Sequence, residues 1–482
     1  MTAAIASKLP PPPAGSKTIR HIRFLIYVYI VLLVFEGALR KWVVPQLSNP
    51  LLIVRDPFVV LIYLLAWKAR IFPRNGFVIS LAVIAILSWV ISIFVLDPYF
   101  PMLRILFVTT FGFRSNFLHL PLIFIFPAVF NEADVKKMGR WFLLAMIPMG
   151  LLMALQFRAS PDSFINRTVG LGDAEQIQAG GGRIRPPGTF SFITGAIFYV
   201  TTCVAFLLHG ASSRDSYKSW LLVASGLAAA VAVLVSGSRS LVLMVLIVVG
   251  ALGVAWIVRP DAVNRFLRNF VIVCVLAILI TQLPIVKVGM HILSDRFTES
   301  AEASQTSITV GIFDRITGGF TEGLSHMDHI PFLGYGLGLG TNAGAQALVG
   351  RAAFLLAEGE WSRVLLESGP VLGLAFLLWR VALTIRIGTA CFRALNVPDI
   401  LPLLLFSVGF ILMLTGQFGQ PTSLGFAVVV NGLCLAAASS ATPSTAAISE
   451  TRMQTRVRGR SPYADRLHRP DANSHSNGAL DR

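Results

Sequence analysis

Three arginines lie in stretches that contain no acidic residue, and they are the side chains of this sequence best suited to chemistry. Arg183 and Arg185 belong to GGGRIRPPGTF (180–190), and Arg239 belongs to SGSRS (236–240), which joins two apolar stretches. The planar fork of a guanidinium group binds two phosphate oxygens at once. We therefore expect these arginines to bind a doubly charged phosphate group such as a lipid-linked pyrophosphate. Ordinary contact with lipid headgroups is the alternative interpretation.

A second candidate is the acidic segment AEGEWSRVLLESGPVLGL (357–374), which leads into an apolar stretch. On a helix, Glu360 and Arg363 share a face, and Glu367 lies two turns from Glu360 on that face. With Glu358, these side chains form either a ligand-binding group or a capping and salt-bridge cluster. The second interpretation is the ordinary one, because acids are favoured at helix N-termini.

Arg40, Arg55 and Arg114 are further candidates because they fall within or beside apolar stretches. An arginine at membrane depth costs about 2.5–3.5 kcal/mol, and such residues usually face a polar cavity that contains a partner. We expect all three to contact a substrate. For two of them internal pairing is the alternative, because Arg40 is one helical turn from Glu36, and Arg55 adjoins Asp56.

Two other motifs do not support a cofactor. GYGLGLGTNAG (334–344) does not keep the GxGxxG register of a nucleotide-binding loop and follows no strand, so it predicts a glycine-rich turn. His326, Asp328 and His329 form a cluster without a third strong ligand nearby, which indicates a polar patch rather than a metal site. We therefore expect no metal and no cofactor.

The composition shows what positions these residues. Hydrophobic residues make up 55% of the chain and charged residues 13%, whereas soluble domains carry about 25% charged residues. A soluble protein of 482 residues could not bury that much apolar surface, so a lipid bilayer must cover it. The net charge is +16, and the basic residues responsible for it lie between apolar runs rather than in one patch. It therefore indicates membrane topology and not nucleic-acid binding.

Apolar runs of spanning length predict an all-α polytopic membrane protein with about twelve transmembrane helices. These helices are predicted near 22–39, 51–67, 77–96, 115–130, 141–157, 190–208, 220–235, 241–258, 270–286, 361–379, 400–416 and 424–439. The stretch from Pro101 to Phe130 is too long for one span, so we expect a re-entrant or interfacial piece before the fourth helix.

The positive-inside rule predicts that both termini are cytoplasmic, because every proposed inner loop is then basic. The inner basic residues are Lys68, Arg70 and Arg74; Lys136, Lys137 and Arg140; Arg214 and Lys218; Arg259, Arg265 and Arg268; and Arg380, Arg386 and Arg393. The outer face retains basic residues that topology does not explain: Arg40, Lys41, Arg55, Arg104, Arg114, Arg158, Arg167, Arg183, Arg185, Arg239, Arg351 and Arg363.

The predicted domain organisation follows from these spans. It comprises a cytoplasmic N-terminal segment (1–21), transmembrane helices 1–9 (22–286), a large periplasmic loop (287–360), transmembrane helices 10–12 (361–440) and a disordered basic cytoplasmic tail (441–482). The predicted site therefore lies on the outer face of the membrane.

The order of the motifs resembles the O-antigen ligase/polymerase superfamily of bacterial inner-membrane enzymes. The resemblance covers about residues 180–440 and runs through RPPGTF, an SGSRS turn that opens an apolar helix, a large outer loop, GYGLG and an acidic helix start ending in LLESGPVLGL. It implies a glycosyltransferase-C-like fold without a nucleotide sugar, cofactor or catalytic metal. The implied substrate is an undecaprenyl-pyrophosphate-linked glycan. An acceptor hydroxyl attacks the donor's anomeric carbon, and polyprenyl pyrophosphate leaves.

The resemblance also implies roles for individual residues. Arg239 matches the arginine of the family's Ser-Arg turn, and Arg183 or Arg185 matches the basic residue before the Gly-Thr-Phe stretch. Fixed guanidinium groups would stabilise the charge that develops on the leaving group. Ligases of the family typically carry a histidine about nine residues before a closing glutamate; counting back from Glu367 reaches Glu358. Glu358 or Glu360 is then the candidate general base, and the missing histidine favours a polymerase of repeat units over a ligase to lipid A core.

Two alternatives come from other functional classes. A secondary transporter also commonly has twelve helices, but it predicts related halves, ionisable residues at the midplane and short loops. A non-catalytic polysaccharide-assembly protein would bind the lipid carrier without chemistry. The expected partners are the bilayer, the lipid-linked glycan and other polysaccharide-assembly proteins, and nucleic acid is not among them.

Overall fold

The chain forms a bundle of apolar helices. The computed structural model describes residues 17–169, 176–213, 216–258, 282, 284–304, 330–350, 356–357, 359–395 and 399–441. Nine helical stretches in these ranges are long and apolar enough to cross a membrane, and two further apolar helices are shorter. The protein is therefore an all-α, multi-pass membrane protein. Glu358, the cluster His326, Asp328 and His329, and the predicted tail lie outside the described residues, apart from residue 441.

The helices are α1 (Lys17–Ala38), α2 (Asp56–Lys68), α3 (Gly76–Leu96), α4 (Met102–Phe113), α5 (Phe126–Val129), α6 (Glu132–Arg158), α7 (Ile193–Ser212), α8 (Ser219–Val235), α9 (Arg239–Val258), α10 (Pro284–Ser304), α11 (Asn342–Val349), α12 (Glu360–Ala394), α13 (Leu401–Thr415) and α14 (Pro421–Ala441). Two short antiparallel strands, β1 (Gln178–Gly180) and β2 (Arg183–Ile184), pair Gly180 with Arg183. We call the end of the bundle where α1 finishes and β1 and β2 lie the loop end.

Most predicted spans agree with the structure. The spans predicted near 77–96, 220–235 and 241–258 correspond to α3, α8 and α9 within two residues. The span predicted at 270–286 falls largely on residues 259–281, which lie outside the described part of the chain. The count of twelve spans and the N-in orientation therefore stay predictions.

The fourth predicted span differs from the structure because it is not one continuous α-helix. The chain passes from α4 into a π-helical turn (Arg114–Leu118), then into a 3-10 helix (Leu120–Phe124) and the short α5. Proline lacks the N–H that an α-helix needs, and Pro121 and Pro127 occupy the first turns of the last two pieces. Helix breaks at membrane depth are tolerated where neighbouring groups satisfy the freed backbone.

The tenth predicted span, 361–379, also differs from the structure, because α12 is a helical hairpin. Gly369 has φ 74° and ψ 170°, and Pro370 follows it, so the helix direction changes there. Glu360 and Arg380 would lie about 30 Å apart on a straight helix, yet their side chains meet at 2.6 Å. The chain therefore turns back at Gly369, and a first arm (360–368) packs antiparallel to a second arm (370–394).

The glycine-rich stretch caps the turn of this hairpin. Tyr335 N donates to Leu366 O (2.7 Å), and Gly336 N donates to Glu367 O (3.0 Å), so the last carbonyls of the first arm are satisfied. Gly334 has φ 73°, and a Cβ there would clash with the backbone of Gly369 and Glu367. The predicted glycine-rich turn is confirmed, and it is buried between α3, α4 and the hairpin.

At the opposite end of the bundle, a polar cluster ties α6 and α7 to the start of α13. Asp399 Oδ2 lies 3.5 Å from Lys136 Nζ, and Asp399 Oδ1 lies 3.1 Å from His209 Nε2. Asp399 Oδ1 also accepts a hydrogen bond from Leu401 N (2.9 Å). Burial alone would raise the pKa of the Asp399 carboxyl, but His209, the Leu401 N–H and Lys136 hold that pKa well below its usual range.

Replacing Asp399 by Asn should lower the free energy of unfolding at pH 7 by about 1.5–3 kcal/mol, the worth of hydrogen bonds to a charged group. The pKa of the Asp399 carboxyl is lower in the folded protein than its ordinary value of 3.8. The ionised carboxylate therefore stabilises the folded state above that pH, and this stabilisation is lost as the pH falls further. The stability difference between wild type and Asp399→Asn should therefore shrink below about pH 4. Unfolding of the detergent-solubilised proteins across this pH range measures it.

Asp295→Asn is the matched control, because Asp295 also pairs with a histidine, His291, but both side chains are exposed. Exposed ion pairs contribute little, so this variant should unfold like wild type. Equal stability of Asp399→Asn and Asp295→Asn would show that the cluster at the opposite end does not stabilise the bundle.

Candidate functional site

The charged residues of the hairpin form a closed network, which we call the paired network. It comprises Asn116, Glu360, Arg363, Glu367 and Arg380. Arg363 donates from Nε to Glu360 Oε2 (3.0 Å), from Nη1 to Glu367 Oε2 (2.7 Å) and from Nη2 to Asn116 Oδ1 (2.7 Å). All three guanidinium nitrogens of Arg363 therefore bind protein groups, and the structure does not present Arg363 to a substrate.

Glu360 is bound as firmly as Arg363. Its Oε1 accepts from Arg380 Nη1 (2.6 Å), while its Oε2 accepts from Arg363. Arg380 also donates to Met413 O (2.7 Å) and to Gly416 O (3.0 Å). Arg380 was expected in a cytoplasmic loop; it is instead buried, because the second arm extends to Ala394 and the hairpin brings a carboxylate to it.

The paired network is balanced in charge and satisfied. Two arginines face two glutamates, and Glu367 Oε1 also accepts from Gly340 N (2.9 Å). This arrangement matches the salt-bridge interpretation of the acidic segment. A base must be free to accept a proton from substrate, and both Glu360 oxygens already accept from arginines. Glu360 therefore holds the two arms of the hairpin together.

A second group of buried charges, the cationic cluster, lies at the loop end. It comprises the buried residues Glu36, Arg40, Lys41, Arg55 and Arg114 and the partly buried Asp56. Arg55 is 1% exposed and donates from Nε to Glu36 Oε2 (3.2 Å) and from Nη2 to Pro421 O (2.6 Å). For Arg40 the alternative interpretation, pairing with Glu36, is observed at 3.4 Å. Arg55 pairs with Glu36 rather than with its sequence neighbour Asp56.

Asp56 instead binds Arg114 and His119. Arg114 donates from Nε and Nη2 to the two Asp56 oxygens and from Nη2 to Leu52 O (2.8 Å). His119 Nε2 lies 3.0 Å from Asp56 Oδ1. Arg114 and Asn116 share the π-helical turn, so this turn joins the cationic cluster to the paired network.

The cationic cluster has more positive than negative charge. Lys41 is 1% exposed, donates to Gly188 O (2.8 Å) and lies over the Trp42 ring. No carboxylate pairs with Lys41 within the described ranges. Among the described residues, four basic side chains therefore accompany only two carboxylates, Glu36 and Asp56, so basic groups outnumber acidic groups in the cluster.

The arginine rim, Arg183, Arg185 and Arg239, lies at the same end and is partly exposed. Gly237 of SGSRS packs against Ala179 of β1, so the two arginine-containing stretches are neighbours. Arg183 Nη1 also donates to Phe157 O (3.3 Å) and Arg158 O (2.5 Å), the last carbonyls of α6. Arg183 therefore caps a helix C-terminus as well as facing the rim.

The segment that follows the rim leads directly to the cationic cluster. Gly188 O accepts from Lys41, and Ser191 Oγ accepts from Arg40 Nη1 (3.3 Å). Thr189 Oγ1 donates to Val34 O (2.6 Å), which fixes RPPGTF against the end of α1. One segment thus connects the exposed arginines to the buried ones.

Sequence reasoning assigned no role to Tyr29, Asn116, His119 or Lys41. Asn116 and His119 lie in FGFRSNFLHLP, and four polar side chains in an apolar run were the available signal. The structure brings together Arg40, Arg55 and Arg114 in one cluster, and Arg183, Arg185 and Arg239 at its rim. Arg363 belongs to the paired network instead. No group of residues able to hold a metal ion occurs in the part of the chain that is described.

Glu360→Gln and Arg380→Gln should each destabilise the protein by about 3–5 kcal/mol, because each leaves the buried network with one charge that is not balanced by an opposite charge. The double variant should be less destabilised than the sum of the two, because both charges are removed together. Unfolding of the four proteins in detergent gives the coupling energy. Purely additive effects would contradict the hairpin, since residues far apart on a straight helix do not couple.

Comparison with known proteins adds no relative to this picture. No protein-family model matches the chain, and no curated protein matches it.

Proposed function

We propose that this protein is a membrane glycosyltransferase that polymerises undecaprenyl-pyrophosphate-linked oligosaccharide repeat units of an O-antigen or exopolysaccharide. The observation that carries the proposal is the excess of basic over acidic side chains in the cationic cluster, as far as the structure describes it. A pyrophosphate that joins a lipid to a sugar carries one negative charge on each phosphate. Such a group would neutralise the excess charge of the cluster.

The match in charge between the pyrophosphate and the cationic cluster is informative because most of the cluster is buried. Uncompensated charge is costly in a low-dielectric environment, and ionisable residues inside membranes usually mark a substrate or ion site. The paired network at the hairpin is neutral, whereas the cationic cluster is not, so the anion belongs to the cationic cluster. The partly exposed arginine rim would attract the lipid-linked headgroup toward it, and Arg239 of the rim would also donate to the leaving oxygen.

The chemistry that follows needs no metal. The acceptor hydroxyl attacks the donor's anomeric carbon, a new C–O bond forms, and the bond to the pyrophosphate oxygen breaks with its electron pair. Guanidinium groups fixed by Glu36 and Asp56 would stabilise the charge that develops on this oxygen more than they stabilise the ground state. Because Glu360 holds the hairpin, we assign the general base to Glu358.

We place the loop end on the outer side of a bacterial cytoplasmic membrane. The opposite end carries basic residues near Arg23, Lys136 and Arg386, which the positive-inside rule assigns to the cytoplasm. The acceptor sugar and the lipid-linked donor would then meet on the periplasmic side. Ligation of the same donor to lipid A core uses the same site and is the closest alternative.

One observation favours a secondary transporter as a second candidate. The ion pair of Glu360 and Arg380 lies about 15 Å along the second arm from the hairpin turn. Buried ionisable residues within broken helices are typical of transporter binding sites. The pair is neutral and saturated by protein groups, however, so it offers no obvious place for a cargo ion.

The test is to supply the purified protein with undecaprenyl-pyrophosphate-linked oligosaccharide and to measure glycan length and released carrier. Longer glycans support the polymerase, and transfer to added lipid A core supports the ligase. No turnover, together with solute uptake by reconstituted vesicles, would contradict the enzyme and favour the transporter.

In this assay Arg239→Ala should lower turnover by about 100-fold or more, the typical effect of removing one donor to a developing oxyanion. Arg104→Ala is the matched control, because Arg104 is an exposed arginine in the first turn of α4. The control should retain wild-type turnover. Undiminished turnover of Arg239→Ala, at equal protein level in the membrane, would remove Arg239 from the site.

A further inference from the structure

A chain of four polar side chains, three of them buried, ends at a donor that has no hydrogen-bond partner in the described part of the structure. Tyr29 OH lies 2.9 Å from His119 Nδ1, His119 Nε2 lies 3.0 Å from Asp56 Oδ1, and both Asp56 oxygens accept from Arg114. Arg114 Nη1 is buried and has no hydrogen-bond partner in the described structure. Buried polar groups are nearly always satisfied, so an unsatisfied cationic donor calls for an explanation.

The chain fixes the direction of this donor. Its members come from α1, α2, the π-helical turn and the residue between that turn and the next helix, so no single element holds them. Asp56 and Leu52 O bind Nε and Nη2 of Arg114, which locks the plane of the guanidinium group. With Nε and Nη2 fixed, Nη1 has one orientation.

We propose that Arg114 Nη1 directly contacts an anionic oxygen of the substrate's pyrophosphate, and that Asp56, His119 and Tyr29 are positioning residues for it. This inference rests on the proposed function and assigns the contact within its site. The positioning residues touch no substrate themselves. His119 contacts Tyr29 through Nδ1 and Asp56 through Nε2. Both ring nitrogens are therefore engaged, so His119 orients the Asp56 carboxylate and does not act as the general base.

The surroundings of Arg114 favour a ligand over a purely structural role. A purely structural arginine would be expected to bind protein through all its nitrogens, as Arg363 and Arg380 do. The Arg114 side chain is 8% exposed, whereas the Asp56 side chain beside it is 16% exposed. The pair is therefore enclosed less completely on the Asp56 side.

The test measures the affinity of the detergent-solubilised full chain for inorganic pyrophosphate by calorimetry. Arg114→Gln should weaken binding by about 10- to 100-fold, the worth of a hydrogen bond between charged groups. His119→Phe keeps a ring but loses both polar contacts, and it should weaken binding by about tenfold. His119→Gln offers both a donor and an acceptor, and it should restore most of the affinity.

Tyr29→Phe removes only the hydroxyl group, so it tests the chain without a change of shape if His119→Phe fails to fold. Tyr63→Phe is its matched control, because the Tyr63 hydroxyl donates to Leu118 O (2.7 Å) and stands outside the chain. Tyr29→Phe should weaken pyrophosphate binding, and Tyr63→Phe should leave it at the wild-type value.

Two results would overturn the inference: wild-type protein that does not bind pyrophosphate, or Arg114→Gln that binds it as wild type does. Equal affinities of Tyr29→Phe and Tyr63→Phe, with His119→Phe also unchanged, would remove the positioning residues. The result of this binding test can be distinguished from the result of the glycan-elongation test of the proposed function. Pyrophosphate binding that depends on Arg114, without any glycan elongation, would support the anion site and reject the polymerase.

Discussion

Arginine keeps its proton in every protein environment, so each guanidinium group buried in a membrane must find an acceptor inside the protein. This constraint decides the architecture of the loop end. Arg363 and Arg380 bind the two glutamates of the hairpin, while Arg55 and Arg114 bind Glu36 and Asp56. These pairs lie beside the breaks in the helices, at the π-helical turn and across the hairpin that turns at Gly369.

The paired network and the cationic cluster differ in their balance of positive and negative charge. The paired network has as many carboxylates as guanidinium groups, so it stabilises the hairpin and needs nothing else. Within the described residues, the cationic cluster includes Lys41, which pairs with no carboxylate, and Arg114, whose Nη1 has no hydrogen-bond partner. A substrate that brings negative charge completes this cluster, which is why we place the pyrophosphate there and assign to the hairpin a supporting role.

The sequence predicts what depends on neighbouring residues. Apolar periodicity and length locate α3, α8 and α9 closely, and the pairing of Glu36 with Arg40 follows from their spacing on one helix. Pairs formed by tertiary packing are not predictable in this way: Arg55 prefers Glu36 to the adjacent Asp56, and Glu360 binds Arg380 across a hairpin.

The signal for the hairpin was present as Gly369-Pro370, but an apolar run around it favoured a single span. His119 was missed because a lone histidine in an apolar run indicates no partner until the fold supplies Tyr29 and Asp56.

The central claim is that the buried cationic cluster binds a lipid-linked pyrophosphate. Calorimetric titration of the purified protein with undecaprenyl pyrophosphate in nanodiscs tests it most directly, at low salt and at about 0.5 M salt. Buried charges are screened far less than exposed ones. The account therefore predicts one bound lipid per protein and an affinity that changes little with salt. Absence of binding, or an affinity that falls steeply with salt as it does for exposed charges, would contradict it.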